Sequence, residues 1–449
     1  MRIVCPDYIE KAIDLIQKSG NTAYAVGGCI RDSLMGRIPS DWDMTSSATP
    51  EEICHIFRNF RTIPTGIKHG TVTVLIDSVP IEITTMRVDG SYSDNRHPEK
   101  VIFTTDISED LSRRDFTVNA MAYNPHVGLV DPFGGEDDIK RMTIRCVGDA
   151  DKRFSEDALR ILRAVRFSSV LDFIIEQKTS ESILHNLNLL ENISKERIRV
   201  ELIKLLCGKS VESVLRNYKK VIFEIIPELE PTDGFPQHTP FHIYDVWNHI
   251  INVTANIEPI PNFRVAALLH DIEKPSCLRT DEKGIDHFKG HPQAGALTAE
   301  KILRRLRFSN SEINHITTMI RIHDERPDGD KHHLAKLCSN YGIENVSDTL
   351  KLIYADAHGK NPAFFGRETD AVALAQAQIE EMKQANFCLS IRDLDINGND
   401  IMNLGIDRTE IKETLEYLLD RVINEELQNK KSDLSDAIIS RKKSVKILI

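Results

Sequence analysis

Two aspartates one residue apart, Asp41 and Asp43, close a 17-residue span that begins with paired glycines, Gly27-Gly28, in the pattern GGxxRDxxxGxxxxDxD. Residues two apart on a strand point to one face, so these carboxylates would stand side by side. They repel each other unless a cation lies between them. Oxygen-only ligation suits Mg²⁺, which takes one or two protein carboxylates and fills its shell with water and substrate phosphates. Gly27 and Gly28 let backbone N–H groups approach a phosphate closely. A phosphate cradle beside metal-holding carboxylates is the apparatus of nucleotidyl transfer by two metal ions. A GG turn signals little by itself, and a lone DxD pair is more often a solvated turn. Their combination in one short span carries the reading.

The elements around the span follow from local pattern. Pro6 to Ser19 reads as an amphipathic helix with Ile9, Ile13 and Ile16 on one face, stopped at Gly20. Ala23 to Val26 is a short strand, Gly27-Gly28 a turn, Cys29 to Met35 one or two helical turns, and Trp42 and Met44 mark a second strand. Thr49-Pro-Glu-Glu starts another helix. Thr71 to Asp77 alternates at period two and turns through Ser78-Val79-Pro80 into a partner strand. Glu82 lies there between Ile81 and Ile83. A buried, unpartnered acid would cost several kcal/mol, so Glu82 faces solvent or joins Asp41 and Asp43 as a third carboxylate. The neighbouring pair favours the second reading. Val88 to Phe103 is polar and aperiodic, a loop of a length usually reserved for function or disorder.

In the next stretch, FSEDALRILRAVRFSSVL, Ser155 reads as an N-cap, and Asp157 and Arg160 are three apart on one helix face. An Asp offers acceptors and an Arg a fork of donors, so the pair could bond the edge of a base. A surface ion pair has the same spacing.

The Ala23–Thr49 span resembles the signature of the nucleotidyltransferase superfamily to which DNA polymerase beta belongs. More closely, the chain resembles the bacterial (class II) tRNA nucleotidyltransferase and poly(A) polymerase family, strongly from about Val4 to Glu201 and more loosely beyond. The resemblance implies an α+β fold: a polymerase-beta-like head (1–142), a helical neck with base recognition (143–207), an HD-type helical body (208–370) and a helical tail that touches tRNA (371–449). It implies catalysis by Asp41, Asp43 and Glu82 with Mg²⁺. Nucleotide binding would fall to Gly27, Gly28, Arg31 (with Asp32), Arg114 (or Arg113), Asp115, Asn119, Asp157, Arg160, Arg163 and Arg166. Asp157 and Arg160 would read CTP or ATP, and Glu196 and Arg197 would brace the templating helix. Asp89, Gly90, Tyr92, Asp94 and Arg96 match a mobile loop associated in the family with addition of the terminal A. DPFGGEDDIK, Asp131 to Lys140, matches a flexible Gly-Gly link from head to neck, although a simple turn explains it equally well.

Farther on, His249, the pair His270-Asp271, His291, His323 and Asp356 recur at a spacing that resembles HD-superfamily metal phosphohydrolases. That likeness implies a second divalent-metal site built on His249, His270, Asp271 and Asp356, since a His/Asp mixture suits transition metals. An isolated buried His is ordinarily a hydrogen-bonded core residue; six residues on one template are not chance.

Composition sets the outer limits. The 449 residues suffice for two to four domains, and 41% hydrophobic with 28% charged residues is ordinary for a soluble globular chain. No apolar run approaches a membrane span, the N-terminus lacks a signal-peptide core, and eight cysteines with no CxxC fit a reducing cytosol. A cytoplasmic protein without membrane contact is expected. The net charge of −11 means that any nucleic-acid footprint must be local. Candidates are Arg160, Arg163 and Arg166; Lys195, Arg197, Arg199 and Lys204; and Arg441-Lys442-Lys443 with Lys446. The expected activity is addition of C, C and A to the 3′ end of tRNA from CTP and ATP. The alternatives are a poly(A) polymerase, a CC- or A-adding relative, or an HD phosphohydrolase with a vestigial head. The sequence carries no mark of oligomeric state.

Overall fold

The computed structural model describes residues 3–67, 70–89 and 101–447, which cluster into two compact units, Met1–Pro227 and Glu228–Ile449. In the first unit the described strands are β1 (Ala23–Val26), β2 (Asp43–Ser46), β3 (Arg61–Gly66), β4 (Thr71–Ile76), β5 (Val79–Thr85), β6 (Arg87–Asp89), β7 (Val101–Phe103), β8 (Ala122–Asn124), β9 (Gly128–Val130) and the short parallel pair β10 (Thr143–Ile144) and β11 (Ile174–Ile175). Seven form a mixed sheet in the order β3-β4-β5-β2-β1-β8-β9, with β2 and β5 parallel and the other neighbours antiparallel. The register sets Asp43 of β2 between Val26 of β1 and Glu82 of β5.

The alternation of side chains decides which face does chemistry. Trp42, Met44, Ile81 and Ile83 are buried in one cluster with Ile9, Ile13 and Ile16 of the helix Asp7–Lys18. Asp41, Asp43 and Glu82 are exposed, on the other side of the pleat. The sheet is thus a wall with an oily back and an acidic front. Thr49 closes a capping box with Glu52 at the start of the helix Pro50–Ile56, as expected.

Several local expectations are corrected. The hairpin turns on Asp77-Ser78, both at positive φ (49° and 67°), so Val79 and Pro80 already belong to β5. Two left-handed residues match the twist of a tight hairpin. The Val88–Phe103 stretch is not loop throughout: its ends pair as the antiparallel ribbon β6–β7. Asp89 ends β6, and Gly90, Tyr92, Asp94 and Arg96 lie outside the described residues. Ser155 is no N-cap, because it sits inside the helix Ala150–Glu156. The break falls at Asp157 (φ −140°), whose carboxylate accepts from Leu159 N at 3.1 Å ahead of the helix Leu159–Leu171. A short acid that bonds the following backbone competes with helix continuation. The Gly-Gly segment is a clamped turn. Gly134 is left-handed, Asp131 accepts from Gly135 N and Glu136 N at 2.8 Å each, and a Cβ on Gly135 would lie 2.3 Å from Thr117 O.

The second unit is helical apart from the small hairpin Arg279–Thr280/Asp286–His287 among the described residues. The helix Pro362–Gln384 runs through the expected 370/371 boundary. Its Val372 and Ile379 share a core cluster with Leu350 and Ile353 upstream and Leu418 and Ile423 downstream. Two of the tail cations are engaged internally: Arg441 pairs with Glu413, and Lys442 donates to Gly405 O at 2.7 Å.

Candidate active sites

In the first unit the chain leaves β1 through Gly27 at φ +81°, a conformation that L side chains avoid. Gly28 then begins the helix Gly28–Leu34. A Cβ on Gly27 would lie 2.9 Å from a terminal nitrogen of Arg114, so the guanidinium rests on the bare turn. Burial lowers the Arg114 pKa, while Asp110, 3.7 Å away and fully buried, favours its charge. Asp110 also takes both Nε and Nη2 of Arg113 (3.1 and 2.7 Å), which holds the Arg113-Arg114 pair against the sheet.

Asp43 faces this cation. Crowding around its carboxyl raises its pKa, with Asp41 and Glu82 pushing the same way and Arg114 opposing. Like charges that disfavour one another's ionisation mark a place where a cation would be welcome. Glu82 is exposed to solvent and stands beside Asp43 on the same face, an arrangement compatible with both of its readings. The donor set is all oxygen and fits Mg²⁺.

A cavity of about 460 Å³ opens beside these acids. Its lining includes Gly27, Gly28, Arg31, Asp41, Asp43, Arg113, Arg114, Asp115, Asn119, Asp157, Arg160, Arg163 and Arg166, all residues singled out in the sequence, together with Phe167, which was not. Arg31 grips Asp32 through two nitrogens (2.9 and 3.0 Å) and donates to Asn119 Oδ1 at 2.7 Å. Asn119 in turn donates to Asp115. Burial alone would raise Asp115; Arg163, bonded at 2.8 and 2.6 Å, and Asn119 hold it down at about 2.

One expected arrangement is absent. Asp157 and Arg160 do not share a helix face, because Asp157 lies in the break before the helix. Arg197 donates to Asp157 at 3.0 Å, in keeping with a bracing role. Arg160 instead donates to Glu156 (2.8 Å), Arg153 O (3.0 Å) and Arg113 O (2.7 Å). Sequence reasoning missed Phe167 on the cavity wall. Its position in a helical apolar pattern gave only the signal of a core residue.

The second unit gathers the other constellation. His249 lies within the helix Val246–Asn256, His270 and His323 end the helices Pro261–Leu269 and Asn310–Ile322, His291 begins His291–Arg305, and Asp356 lies in Ile343–His358. All six groups are buried. Each imidazole has Nδ1 against a backbone carbonyl: His249 to Gly359 (2.9 Å), His270 to Ala267 (2.8 Å), His291 to Phe288 (2.7 Å) and His323 to Ile320 (2.7 Å). A carbonyl only accepts, so Nδ1 carries the hydrogen and Nε2 turns its lone pair inward.

Those inward nitrogens stand close: His249 to His270 at 3.2 Å and His291 to His323 at 3.3 Å. Two lone pairs at that separation repel unless a proton or metal lies between them. Asp271 sits at the centre, one oxygen 3.1 Å from both His249 and His270, the other 3.2 Å from His291. Neither oxygen meets a donor in hydrogen-bonding geometry, although Lys274 Nζ is 2.7 Å away. Asp356 is 3.0 Å from His249. Burial opposes the charge of Asp271 and Asp356, yet His270 and Lys274 beside the first, and Lys360 and Arg326 beside the second, hold both well below the usual carboxylate range. Two sets, His249/His270/Asp271 and Asp271/His291/His323, have ligand atoms mutually within 4.8 Å. Imidazoles oriented by backbone carbonyls are the usual outer support of a metal site, and this donor set fits a transition metal. Lys274, Lys360 and Arg326, unforeseen in the sequence, border the same cavity of about 540 Å³.

Comparison with known proteins bears on the whole chain. Residues 23–145 match the poly A polymerase head domain, 172–231 the RNA- and SrmB-binding region of polymerase A, and 289–438 the tRNA nucleotidyltransferase domain 2. A CCA-adding enzyme of Lactobacillus delbrueckii is 47% identical over 206 residues, which spans 46% of this chain and about half (52%) of that relative. The crystal structure of the Bacillus stearothermophilus CCA-adding enzyme in complex with CTP superposes with a TM-score of 0.73 at 27% identity, covering 99% of this chain and 100% of the other. A CCA-adding enzyme of Staphylococcus haemolyticus is 33% identical over 430 residues, 94% of each chain. With its carboxylate wall, its glycine turn and a likeness sustained from end to end, the chain belongs to the family of bacterial CCA-adding tRNA nucleotidyltransferases.

Proposed function

We propose that this protein adds C, C and A to the 3′ end of tRNA from CTP and ATP without a nucleic-acid template. The observation that carries the reading is one face: Asp41, Asp43 and Glu82 stand together beside a cavity walled by Gly27, Gly28 and Arg114. Asp41 and Asp43, with Glu82, hold the Mg²⁺ ions. When bound, two such ions lower the pKa of the RNA 3′-hydroxyl and neutralise the leaving pyrophosphate. Gly27 and Gly28 bring backbone N–H groups to the triphosphate, and Arg114 places charge there. Arg31 and Asp32 brace the pocket, and Asp115, fixed by Arg163, orients the ribose. Asp157, held by Arg197, presents acceptors to the base; Arg160 joins it by leaving Glu156. The oxygen of the RNA terminus bonds the α-phosphorus and pyrophosphate departs, so the same pocket serves each round.

We place the head at 1–142, the neck at 143–207, the body at 208–370 and the tRNA-touching tail at 371–449, limits that cut across the two compact units, since the body begins before Pro227 and ends inside the helix Pro362–Gln384. No helix among the described residues is long and apolar enough to cross a membrane, which supports a cytoplasmic setting. Purified protein with CTP, ATP, Mg²⁺ and tRNA lacking its CCA end tests the proposal. Growth by C, C and A that then stops is expected. A long A-tail would assign a poly(A) polymerase, and C alone a CC-adding relative.

A second reading rests on the paired Nε2 contacts around Asp271. His249, His270, Asp271 and Asp356, with His291 and His323, hold one or two divalent metal ions in an HD-type phosphohydrolase centre. Protein dialysed against Mn²⁺ or Ni²⁺ should retain the ion and release phosphate from phosphate esters. His270→Ala with Asp271→Ala should lose both properties.

A further inference from the structure

Among the described residues Phe167 is the one aromatic side chain on the head cavity, and it is 6% exposed. Three guanidinium carbons gather on its ring: Arg166 at 3.8 Å from the centroid, Arg31 and Arg163 at 5.3 Å each. The ring plane is set by Phe116, edge-on at 5.8 Å and 81°. Each arginine is also tied to an acid: Arg31 to Asp32, Arg163 to Asp115 and, at 4.0 Å, to Glu201, and Arg166 to Glu201 at 2.7 Å; no one of these acids pairs with all three. These acids come from separate elements. The ring is the group common to all three cations.

Such a cluster is held together against repulsion. Burial, with Arg163 and Arg31 adding to it, brings the Arg166 guanidinium down to about 10 despite Glu201. An aromatic face carries negative charge density that attracts cations. It offers what a fourth carboxylate could not: attraction without a negative group that would repel a triphosphate. We infer that Phe167 is a positioning residue for the nucleotide, its ring holding Arg31, Arg163 and Arg166 as one fan of donors on the wall of the cavity. This rests on the nucleotidyl-transfer reading above. A phenylalanine that merely fills core space would have no such role.

The test replaces Phe167 with 4-fluoro- and then 3,4,5-trifluorophenylalanine by codon suppression, which drains the ring face with little change of shape. CMP incorporation kinetics and equilibrium CTP binding are measured on each full-length protein. KM and the dissociation constant for CTP should rise stepwise, reaching about tenfold with the trifluoro ring. The kcat should stay within about twofold and the melting temperature should hold, the signature of lost binding rather than lost chemistry. Unchanged CTP binding with the trifluoro ring overturns the inference, as does a parallel fall of kcat and stability at constant KM. An unmodified protein that neither binds CTP nor incorporates CMP overturns the transferase reading, and this inference with it.

Discussion

At the scale of single residues, Asp115 shows how charge and burial are balanced in the head. Its carboxylate is 8% exposed and is held at about 2 by Arg163 and Asn119, against a burial effect that would raise it. A depressed carboxylate contributes stability above its unfolded pKa and loses it as pH falls through its folded pKa. Asp115→Asn should therefore lower stability by about 2 kcal/mol at pH 7, since it removes the depressed carboxylate and leaves the partly exposed Arg163 with only Glu201, 4.0 Å away. The gap between variant and parent should narrow as pH falls from about 4 towards 2. Urea titrations across that range check both points. Asp41, Asp43, Gly27 and Gly28 were legible because residue type and spacing alone carry their chemistry. The partners of Arg160 were not: Glu156 is close in sequence, but the carbonyl of Arg113 is 47 positions away. Phe167 was equally opaque, because a buried phenylalanine in a helix looks the same whether or not cations crowd it.

At the scale of elements, the head depends on a close approach that no side chain permits. The helix Gly135–Lys140 begins against the turn Thr117–Asn119, with a Gly135 Cβ position 2.3 Å from Thr117 O and 2.9 Å from the Met121 sulfur. Asn119, two residues on, receives Arg31 and fixes Asp115. Gly135→Ala should destabilise the protein by about 2–3 kcal/mol through overpacking and raise the KM for CTP severalfold by moving Asn119. A midpoint shift in urea with an impaired nucleotide titration would bear this out; a silent substitution would refute it. The period-two alternation of β4 and the helix start at Thr49 were plain in the sequence, since each is a local rule. The helix break at Asp157 escaped because apolar periodicity runs on through it. Only the competition of its carboxylate for Leu159 N stops the helix.

At the scale of the whole molecule, the two proposed sites fall in two compact units. Each is built by a different logic: oxygen donors on the open face of a sheet, and imidazoles at the ends of buried helices. Asp41→Ala with Asp43→Ala should abolish nucleotide incorporation (at least about 10³-fold) and leave ion retention and phosphate release intact. His270→Ala with Asp271→Ala should do the reverse, and a variant that loses both activities would contradict the division. The net charge of −11 gave little guidance to the RNA-facing surface, because Arg163, Arg166, Arg197 and Arg441 are committed to acids of the chain itself. The carbonyl-anchored imidazoles of the second unit have a mechanical corollary. Five helices deliver their ends or flanks to one point, so an ion seated there acts as a rivet, and its affinity adds to the resistance of those helices to opening. In the Asp41→Ala/Asp43→Ala protein, amide hydrogens in 246–256, 261–269, 291–305, 310–322 and 343–358 should exchange more slowly with Mn²⁺ than with chelator, while those of the sheet in 23–85 keep their pace. Gly359→Ala, which would thrust a methyl to 2.8 Å from His249 Nδ1, should erase that difference and make the rivet useless.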